Sequence, residues 1–576
     1  MQQANVILTA RHKTNLSISW NAINWQVVTK RVNNLRGRIY RASVAGNTKL
    51  ASNLQKLMIK STANKLSAIR RVTQINQGKR SPGVDQIVIK TNKERAWLYD
   101  QLTNENKPKA SPIRRVYIPK VNGKVRPLGL PTILDRCRQA VIKAALEPYW
   151  EAKFESCSYG FRPGRSAQDA IQKIFCIVRP GKNRKWILKV DIEGAFDNID
   201  HDFLLKAVGN FSARGWIEQW LKAGVMEEGR LTPIESGTPQ GGIISPLLSN
   251  IALHGMEAGL GISYYKHNRI KESSPYMLVR YADDSVVFAK SKEDCLKAKE
   301  QLKTFLQERG LKLSEEKTRV CHIEEGFDFL GFNIRHYPTR SKRKGVTILT
   351  KPSKQSVKNF KKRMTLEWKK GLSCDARRMI EKVNPKIKGW ANYFRGAASK
   401  KTFSQLDYWI WKKQAWYAYR KHPSKSWQWR KDKYWGKIKG RDDRWVFMDK
   451  EDREEVFLWK LAWTPIKRHI MVKGSYSPDD PSLKQYWKER QKKQSPYLFK
   501  TKGMLWRVQE GKCRVCLANI DNGEKIEVHH ILPKNLGGTD HIDNLMMLHT
   551  TCHEQVHYKL RTQTTDVSKL LEPYAG

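Results

Sequence analysis

Two short apolar runs, Met277-Leu278-Val279 and Ser285-Val286-Val287-Phe288-Ala289, are joined by the acidic turn Tyr281-Ala282-Asp283-Asp284. β-type runs separated by so short a turn predict a hairpin with carboxylates at its tip. Asp-Asp at a turn is commonplace; the constraint comes from a third carboxylate. Trp186-Ile187-Leu188-Lys189-Val190 reads as a buried strand that ends at Asp191. Asp191 and Asp283 each sit where a strand meets a loop. A fold that lays the two strands side by side gathers ligands for two Mg²⁺ ions, which prefer oxygen donors and phosphate-rich substrates.

The partner of such a site is indicated by charge. The 576 residues include 108 Lys+Arg against 55 Asp+Glu, a net +53 spread along the chain. So much self-repulsion predicts a polyanionic partner, nucleic acid ahead of an anionic membrane surface. No apolar run is long enough to predict a transmembrane helix. Met1 to Ala10 lacks the pattern of a secretory signal. The nine cysteines are scattered apart from Cys513-x-x-Cys516, which predicts a reducing compartment and a metal site rather than a disulfide framework.

The length predicts three or four domains. Residues 1–80 read as basic helices, closed by Ser81-Pro82-Gly83-Val84-Asp85. From Val116 to Phe332 short strands alternate with helices. Residues 350–430 are helix-prone and rich in Lys and Arg. Beyond them Trp427, Trp429, Lys433, Tyr434 and Trp435 interleave aromatics with cations, a composition suited to stacking on bases, although a packed core uses tryptophans equally well. Ser475 to Ser482 reads as a loop and Arg490 to Pro496 as a charged linker.

Two further segments offer groups for a nucleotide. Arg114, Lys120 and Arg126 recur at six-residue intervals around Asn122-Gly123, a strong hairpin-turn signal. Cations on one face of that hairpin could clamp a triphosphate, and a solvated basic hairpin has the same pattern. Gly237-Thr238-Pro239-Gln240-Gly241-Gly242 is a turn whose glycines permit close backbone approach, with Gln240 as its polar handle.

In order along the chain, these segments resemble a reverse transcriptase, and more closely the group II intron-encoded maturase–reverse transcriptases. The resemblance runs through Ser81-Pro82-Gly83-Val84-Asp85, Ile118-Pro119-Lys120, Arg126-Pro127-Leu128-Gly129-Leu130-Pro131 and Ser158-Tyr159-Gly160-Phe161-Arg162-Pro163-Gly164. It continues through the Asp191 motif, Thr238-Pro239-Gln240-Gly241-Gly242, the acidic turn, Leu313-Ser314-x-Glu316-Lys317-Thr318 and Phe327-Asp328-Phe329-Leu330-Gly331, to Gly389-Trp390-Ala391-Asn392-Tyr393-Phe394. The resemblance implies that Asp191, Asp283 and Asp284 are the catalytic carboxylates. With the Ile192 carbonyl they hold two Mg²⁺ that activate a primer 3′-hydroxyl and stabilise leaving pyrophosphate. It implies that Arg114, Lys120, Arg126 and Gln240 hold the dNTP. Phe196 lies under the incoming sugar, or is a core aromatic. Lys317 protonates the leaving group, or is a plain surface lysine. Phe329-Leu330-Gly331 forms a primer grip.

The C-terminal segment carries a second set. Cys513, Cys516, His549 and Cys552 have the types and paired spacing of one tetrahedral structural Zn²⁺. The further histidines in His529-His530, His549-x-x-Cys552-His553 and His557, together with Gly537-Gly538-x-Asp540 and Asn544, resemble an HNH endonuclease of ββα-metal fold. That resemblance implies His530 as general base with Asn544 orienting it. It implies His529 and His553, with His557, as ligands of a divalent metal, Mg²⁺ by expectation. His549 stands where a Cys is commoner in the family, and His529 where an Asp is. A purely structural zinc knuckle is the alternative.

The expected fold is α+β and multidomain: a right-hand fingers/palm/thumb polymerase with a helical N-terminal extension and maturase thumb, plus a zinc-containing ββα-metal domain. The expected boundaries are 1–80 for an RNA-binding extension, 81–335 for fingers and palm, 336–430 for the thumb or maturase domain, 431–500 for a DNA-binding region and 501–576 for the HNH domain. The resemblance implies a protein that binds its own group II intron RNA, assists splicing, nicks target DNA and copies the intron from dNTPs at that nick (retrohoming), in the bacterial cytoplasm or an organelle and without a membrane partner. The alternatives are a reverse transcriptase of another bacterial system and a splicing-only maturase with inactive enzymatic sites.

Overall fold

The computed structural model describes residues 18–104, 109–119, 125–265, 270–271, 273–340, 345–438, 441–450, 456–493 and 500–562. Lys120 and the Asn122-Gly123 turn lie outside the described residues. The apolar runs around the acidic turn pair as an antiparallel hairpin, Met277–Tyr281 with Asp284–Ala289, with Tyr281 opposite Asp284. Ala282 and Asp283 alone make the turn, and Ala282 takes φ +58°, a left-handed value that two-residue hairpin turns favour. Asp284–Ala289 also pairs antiparallel with Trp186–Val190, Val190 opposite Ser285, and Arg319–His322 completes a four-stranded sheet. This register sets Asp191 beside the hairpin tip.

The continuous apolar run of Asp284–Ala289 is explained by burial on both faces. Val287 and Ala289 share a core with Cys295, Ala298 and Leu302 of the helix Lys292–Gln307. Val286 and Phe288 face the other way, into a core with Ala170, Ile171 and Ile174 of the helix Ala167–Ile177. A two-residue period therefore sends alternate side chains to different helices. The basic hairpin also forms: Ile113–Pro119 pairs antiparallel with Val125–Leu130, and Val225–Glu227 adds alongside in parallel.

Three α-helices of the described N-terminal residues are capped at their starts. Asn24, Asn47 and Ser61 accept hydrogen bonds from backbone amides at the first turns of Trp25–Val44, Thr48–Lys60 and Thr62–Arg70. Ile39, Leu54 and Met58 from these helices share one core with Ile142 and Leu146 of Ile133–Glu151. At the other end, the strands Phe327–Phe329, Phe332–Pro338 and Val346–Pro352 form a meander that leads into the helices Lys354–Lys370, Ala376–Phe394 and Lys400–Lys421. Residues Ile526–His530 and Leu545–His549 pair antiparallel, and the helix Thr550–Thr562 follows at once, giving a ββα unit. Among the described residues no helix is long and apolar enough to cross a membrane.

Two expectations for 431–500 are corrected. The segment does not pack as a separate region beginning at 431. Tyr434, Trp435 and Phe447 share a core with Trp368 and Tyr417 of the helices before them, with Trp368 and Phe447 centroids 5.8 Å apart and Tyr434 stacked on Phe447 at 5.6 Å. Aromatic side chains bury large areas, and here the preceding helices supply the apolar surface. Trp427, Trp429 and Trp445 remain 40%, 37% and 37% exposed, so rings on either side of the buried Tyr434 and Trp435 stay open to a ligand. Nor does a free linker begin at Arg490. That residue belongs to the helix Lys484–Lys493, and its guanidinium pairs with Asp169 at 2.7 Å.

Asp169 is fully buried and anchors the returning chain. One carboxylate oxygen accepts from Arg490, from His469 Nε2 at 3.0 Å and from the Val472 amide at 2.7 Å. The other accepts from the Ser166 amide and hydroxyl at 2.9 and 2.7 Å. Further on, Asp479 accepts a bidentate pair from Arg36, which also reaches Glu147. Residues 464–493 thus form a strap from the helical C-terminal half across the sheet to the N-terminal helices.

Burial alone would raise the Asp169 carboxyl. The His469 and Arg490 donors outweigh it and hold the group down to about 2. The strap's share of stability from this carboxylate is therefore fully present above its unfolded value of about 3.9 and is lost as pH falls through about 2. Replacing Asp169 by Asn leaves Arg490 without its buried anion, at a cost of about 3 kcal/mol. Trypsin cleavage within 465–493 is expected to accelerate by roughly a hundredfold if it tracks local opening. Unchanged proteolysis would show that the strap is held by other contacts.

Candidate active sites

The first site lies at the hairpin tip. Burial raises the Asp283 and Asp284 carboxyls, and the neighbouring carboxylates add to it, bringing Asp284 up to about 6. Mutually destabilised carboxylates in a half-buried cleft fit the binding of a cation. Lys317 Nζ lies 3.0 Å from Asp191 Oδ1, and this hydrogen bond raises the lysine. The sequence-predicted Lys317 is therefore at the site. Ile192 pairs with Leu313 and buries its side chain, so it offers the site backbone atoms only. The three aspartates are gathered but looser than a closed cage; among the described residues only two Cys/His groups bring their ligand atoms within 4.8 Å of one another.

The loop Ser158–Gly164 braces this tip. The Tyr159 amide donates to the Arg280 carbonyl, and the Arg280 amide donates to the Cys157 carbonyl, both at 2.9 Å. A Cβ on Gly160 would lie 2.4 Å from the Ala282 nitrogen, so only glycine lets the loop press on the turn. The next residue, Phe161, takes φ +59° and sets its ring edge-on to Phe196, with centroids 6.3 Å apart. Phe196 is only partly buried. Phe161 was not singled out from sequence; its backbone strain is visible only in the fold.

The predicted nucleotide-holding residues converge in part. Ile118 is opposite Arg126 and Arg114 opposite Leu130, which puts Arg114 and Arg126 on one face of their hairpin. Arg126 is near enough to lower the Asp283 carboxyl. Arg114 Nε is buried without a protein acceptor. The Gly129 amide donates to the Gln240 carbonyl at 2.8 Å, which ties this hairpin to the glycine-rich turn. Gln240 Nε2 donates to Asp197 at 2.8 Å, so Asp197 fixes its side chain. Leu330 and Gly331 form a left-handed turn at φ +48° and +79°. They border a groove of about 900 Å³ with Lys362, Arg363, Trp390 and Tyr393.

In the C-terminal unit, Cys513, Cys516, His549 and Cys552 are all buried. Cys516 Sγ and Cys552 Sγ lie 3.4 and 3.9 Å from His549 Nδ1. A tetrahedral zinc site has ligand–ligand edges of about 3.5–3.8 Å, so the four atoms fit one ion. His549 Nε2 donates to the Asn519 carbonyl at 3.0 Å, which leaves Nδ1 as the ligand atom. This cluster is compatible with zinc.

His529, His553 and His557 make the second group. Burial and the neighbouring imidazoles push His529 down to about 4, so the ring is neutral, the form that binds a metal. Its Nε2 is buried and has no protein partner. His530 points elsewhere, with Nε2 2.8 Å from Asp540 Oδ1. Asn544 does not touch that ring. Its amide donates to the Leu532 and Thr539 carbonyls, and its oxygen accepts from the Leu532 amide, so it clamps the loop that presents Asp540. Asp540, ten residues after His530 in the same motif, is the ring's direct partner, and the spacing alone did not reveal it.

Asp284 binds its proton more tightly in the folded chain than in the unfolded one. The carboxylate therefore costs stability at neutral pH, on the order of 2 kcal/mol, and that cost disappears as pH falls through about 6 toward 4. Mg²⁺ is expected to raise the thermal midpoint more at pH 7.5 than at pH 5, with the difference reduced in Asp284→Asn. Equal Mg²⁺ shifts at both pH values would contradict this.

Comparison with known proteins places the chain among characterised families. Residues 118–334 match the reverse transcriptase (RNA-dependent DNA polymerase) family, and residues 20–102 the N-terminal domain of reverse transcriptase. Residues 357–435 match the group II intron maturase-specific domain, and residues 513–559 the HNH endonuclease family. Protein YkfC of Escherichia coli is 33% identical over 344 residues, covering 54% of this chain and 90% of that protein. The group II intron-encoded protein LtrA of Lactococcus lactis is 36% identical over 283 residues, 39% of this chain and 47% of LtrA. Maturase-like protein 1 of Euglena gracilis is 28% identical over 64% of this chain and 76% of that protein. The chain thus spans less than half of LtrA but nearly all of YkfC. It belongs to the group II intron-encoded proteins and joins reverse transcriptase, maturase-specific and HNH endonuclease domains in one polypeptide.

Proposed function

We propose that this protein binds its own group II intron RNA, assists its splicing, nicks a DNA target and copies the intron into DNA from that nick. The observation that carries this reading is the presence in one chain of two separate hydrolytic or transfer sites: an aspartate-bearing palm hairpin and a histidine-bearing ββα unit. Asp191, Asp283 and Asp284 would hold Mg²⁺, which would supply Lewis acidity to the attacking and leaving oxygens. Lys317 neutralises charge beside Asp191 and is placed to give a proton to departing pyrophosphate. Arg114 and Arg126 receive the triphosphate, and Lys120, outside the described residues, is assigned to the same task from the sequence. Gln240 borders the nucleotide, and Phe196 closes the space under its sugar against a 2′-hydroxyl. In the nuclease His530 accepts the proton of water, held by Asp540, while His529, His553 and His557 hold the divalent metal.

We assign residues 1–80 to RNA binding, 81–335 to fingers and palm, 336–430 to the thumb and 501–576 to the nuclease. The described residues between 431 and 463 complete the thumb core and 464–493 form the strap, with Trp427 and Trp429 left for nucleic acid. The net +53 suits an RNA and DNA partner. Nine free cysteines suit a reducing, intracellular setting.

The test is target-primed synthesis with reconstituted intron RNA and a double-stranded target. Asp283→Ala removes a metal ligand, so primer extension is expected to fall by about a thousandfold or more while RNA binding persists. Near-normal extension would overturn the assignment.

The nuclease separates in a second experiment. His530→Ala is expected to lose DNA nicking while zinc content and extension on an annealed primer are retained. Cys513→Ser is expected to lose zinc and loosen the ββα unit. Nicking at a normal rate by His530→Ala would reject His530 as the base.

A further inference from the structure

Arg70, at the end of the helix Thr62–Arg70, meets Cys552 from 482 residues further along the chain. Its guanidinium donates to Cys552 Sγ at 2.9 Å and to Thr551 Oγ1 at 3.2 Å. The same group lies 3.7 Å from the buried Glu524 carboxylate and 4.6 Å above the Trp25 ring. Arg70 is itself 7% exposed. A fully buried guanidinium needs anions around it, and a thiol is a poor one. A Cys₃His site holding Zn²⁺ carries one net negative charge, and Glu524 adds a second. The cation from the N-terminal helices therefore faces the side of the cluster where negative charge gathers.

The surroundings make this contact an interface and not an isolated pair. Gln555 Nε2 donates to the Asn21 and Ile23 carbonyls at 3.0 and 2.8 Å. Trp25, Leu66 and Ile69 share one apolar core with Leu505, Val515, Leu548 and Val556. The nuclease thus completes its core on the N-terminal helices, and the charged centre of that shared core is Arg70 against Cys552 and Glu524.

We propose that Arg70 is the counter-charge of the zinc–thiolate centre, and that zinc binding through this contact latches the nuclease onto the N-terminal helices. The inference rests on the zinc reading of Cys513, Cys516, His549 and Cys552. Arg70 is a positioning residue: it touches neither the His529/His553/His557 site nor any reacting atom. Nη2 alone meets Cys552, Thr551 and Glu524, and the flat guanidinium also lies over the Trp25 ring, so a lysine keeps the charge but loses the face-on ring contact. Loss of the cation leaves an anionic cluster buried against apolar surface, so the ion is held less tightly and the interface opens.

The experiment uses the full chain and compares wild type, Arg70→Met, Arg70→Lys and Cys513→Ser. Zinc per chain is measured, then the rate at which 4-(2-pyridylazo)resorcinol removes it, then amide hydrogen exchange along Trp25–Val44 and Thr62–Arg70. Arg70→Met is expected to release zinc about ten- to a hundredfold faster, as loss of an outer-shell partner does, with Arg70→Lys between it and wild type. Stripping zinc from the wild type is expected to speed exchange in both N-terminal helices, a measurement independent of any variant's ability to fold. Wild-type release kinetics in Arg70→Met, or N-terminal protection indifferent to zinc in the wild type, would overturn the latch while leaving the zinc site standing. A wild-type chain purified without zinc that takes up none would overturn the zinc reading itself, and the latch with it.

Discussion

The pairing of Trp186–Val190 with Asp284–Ala289, Val190 opposite Ser285, is the contact on which the polymerase site depends. A slip of one residue would turn Val286 and Phe288 toward the wrong helix and carry Asp191 away from the hairpin tip. The register is held because each face meets a different helix, so no shifted pairing buries both sets. The three carboxylates are thereby placed by hydrophobic side chains, and their mutual repulsion is absorbed by the packing beneath them. Gly160 and the Arg280 backbone pairing add a second constraint from the side, pressing a loop against the turn without adding charge.

The two sites use opposite means of keeping ligands ready for a cation. In the palm, burial and like charge raise proton affinity at Asp284, and a lysine sits against the outer carboxylate. In the ββα unit, burial lowers it at His529, so the imidazole stays neutral with Nε2 unpartnered. Both arrangements favour a bound cation over an empty site. One does so by storing repulsion and the other by withholding protons.

Much of this was legible in the sequence, because the chemistry sits at element ends that local pattern marks well. The acidic hairpin, the strand before Asp191, the capped N-terminal helices and the ligand spacing of the Cys/His cluster are short-range signals. What the sequence did not yield is which surfaces meet. The aromatic residues around 430 suited a nucleic-acid surface and a packed core equally well in the sequence, and Trp435 packs on a core supplied by Trp368 and Tyr417. Arg490 looked like linker charge and is the partner of a buried aspartate far upstream. Asp540 was seen as part of a motif, but its contact with His530 depends on the loop clamp made by Asn544. Each of these is a long-range choice of partner, which composition and periodicity do not encode.

The shared core between the N-terminal helices and the nuclease bears on how the chain is made. Trp25, Leu66 and Ile69 leave the ribosome well before the residues that cover them, which follow 482 positions later in the case of Arg70 and Cys552. At ordinary synthesis rates that is a wait of roughly 25 to 100 s. During that interval the polymerase half can fold while an apolar and cationic surface stays open at its N-terminal end, so the nascent chain is exposed to aggregation there and not at the palm. Docking of the nuclease then follows folding of the polymerase half, and a chain terminated before Cys552 would leave a polymerase with a sticky basic face.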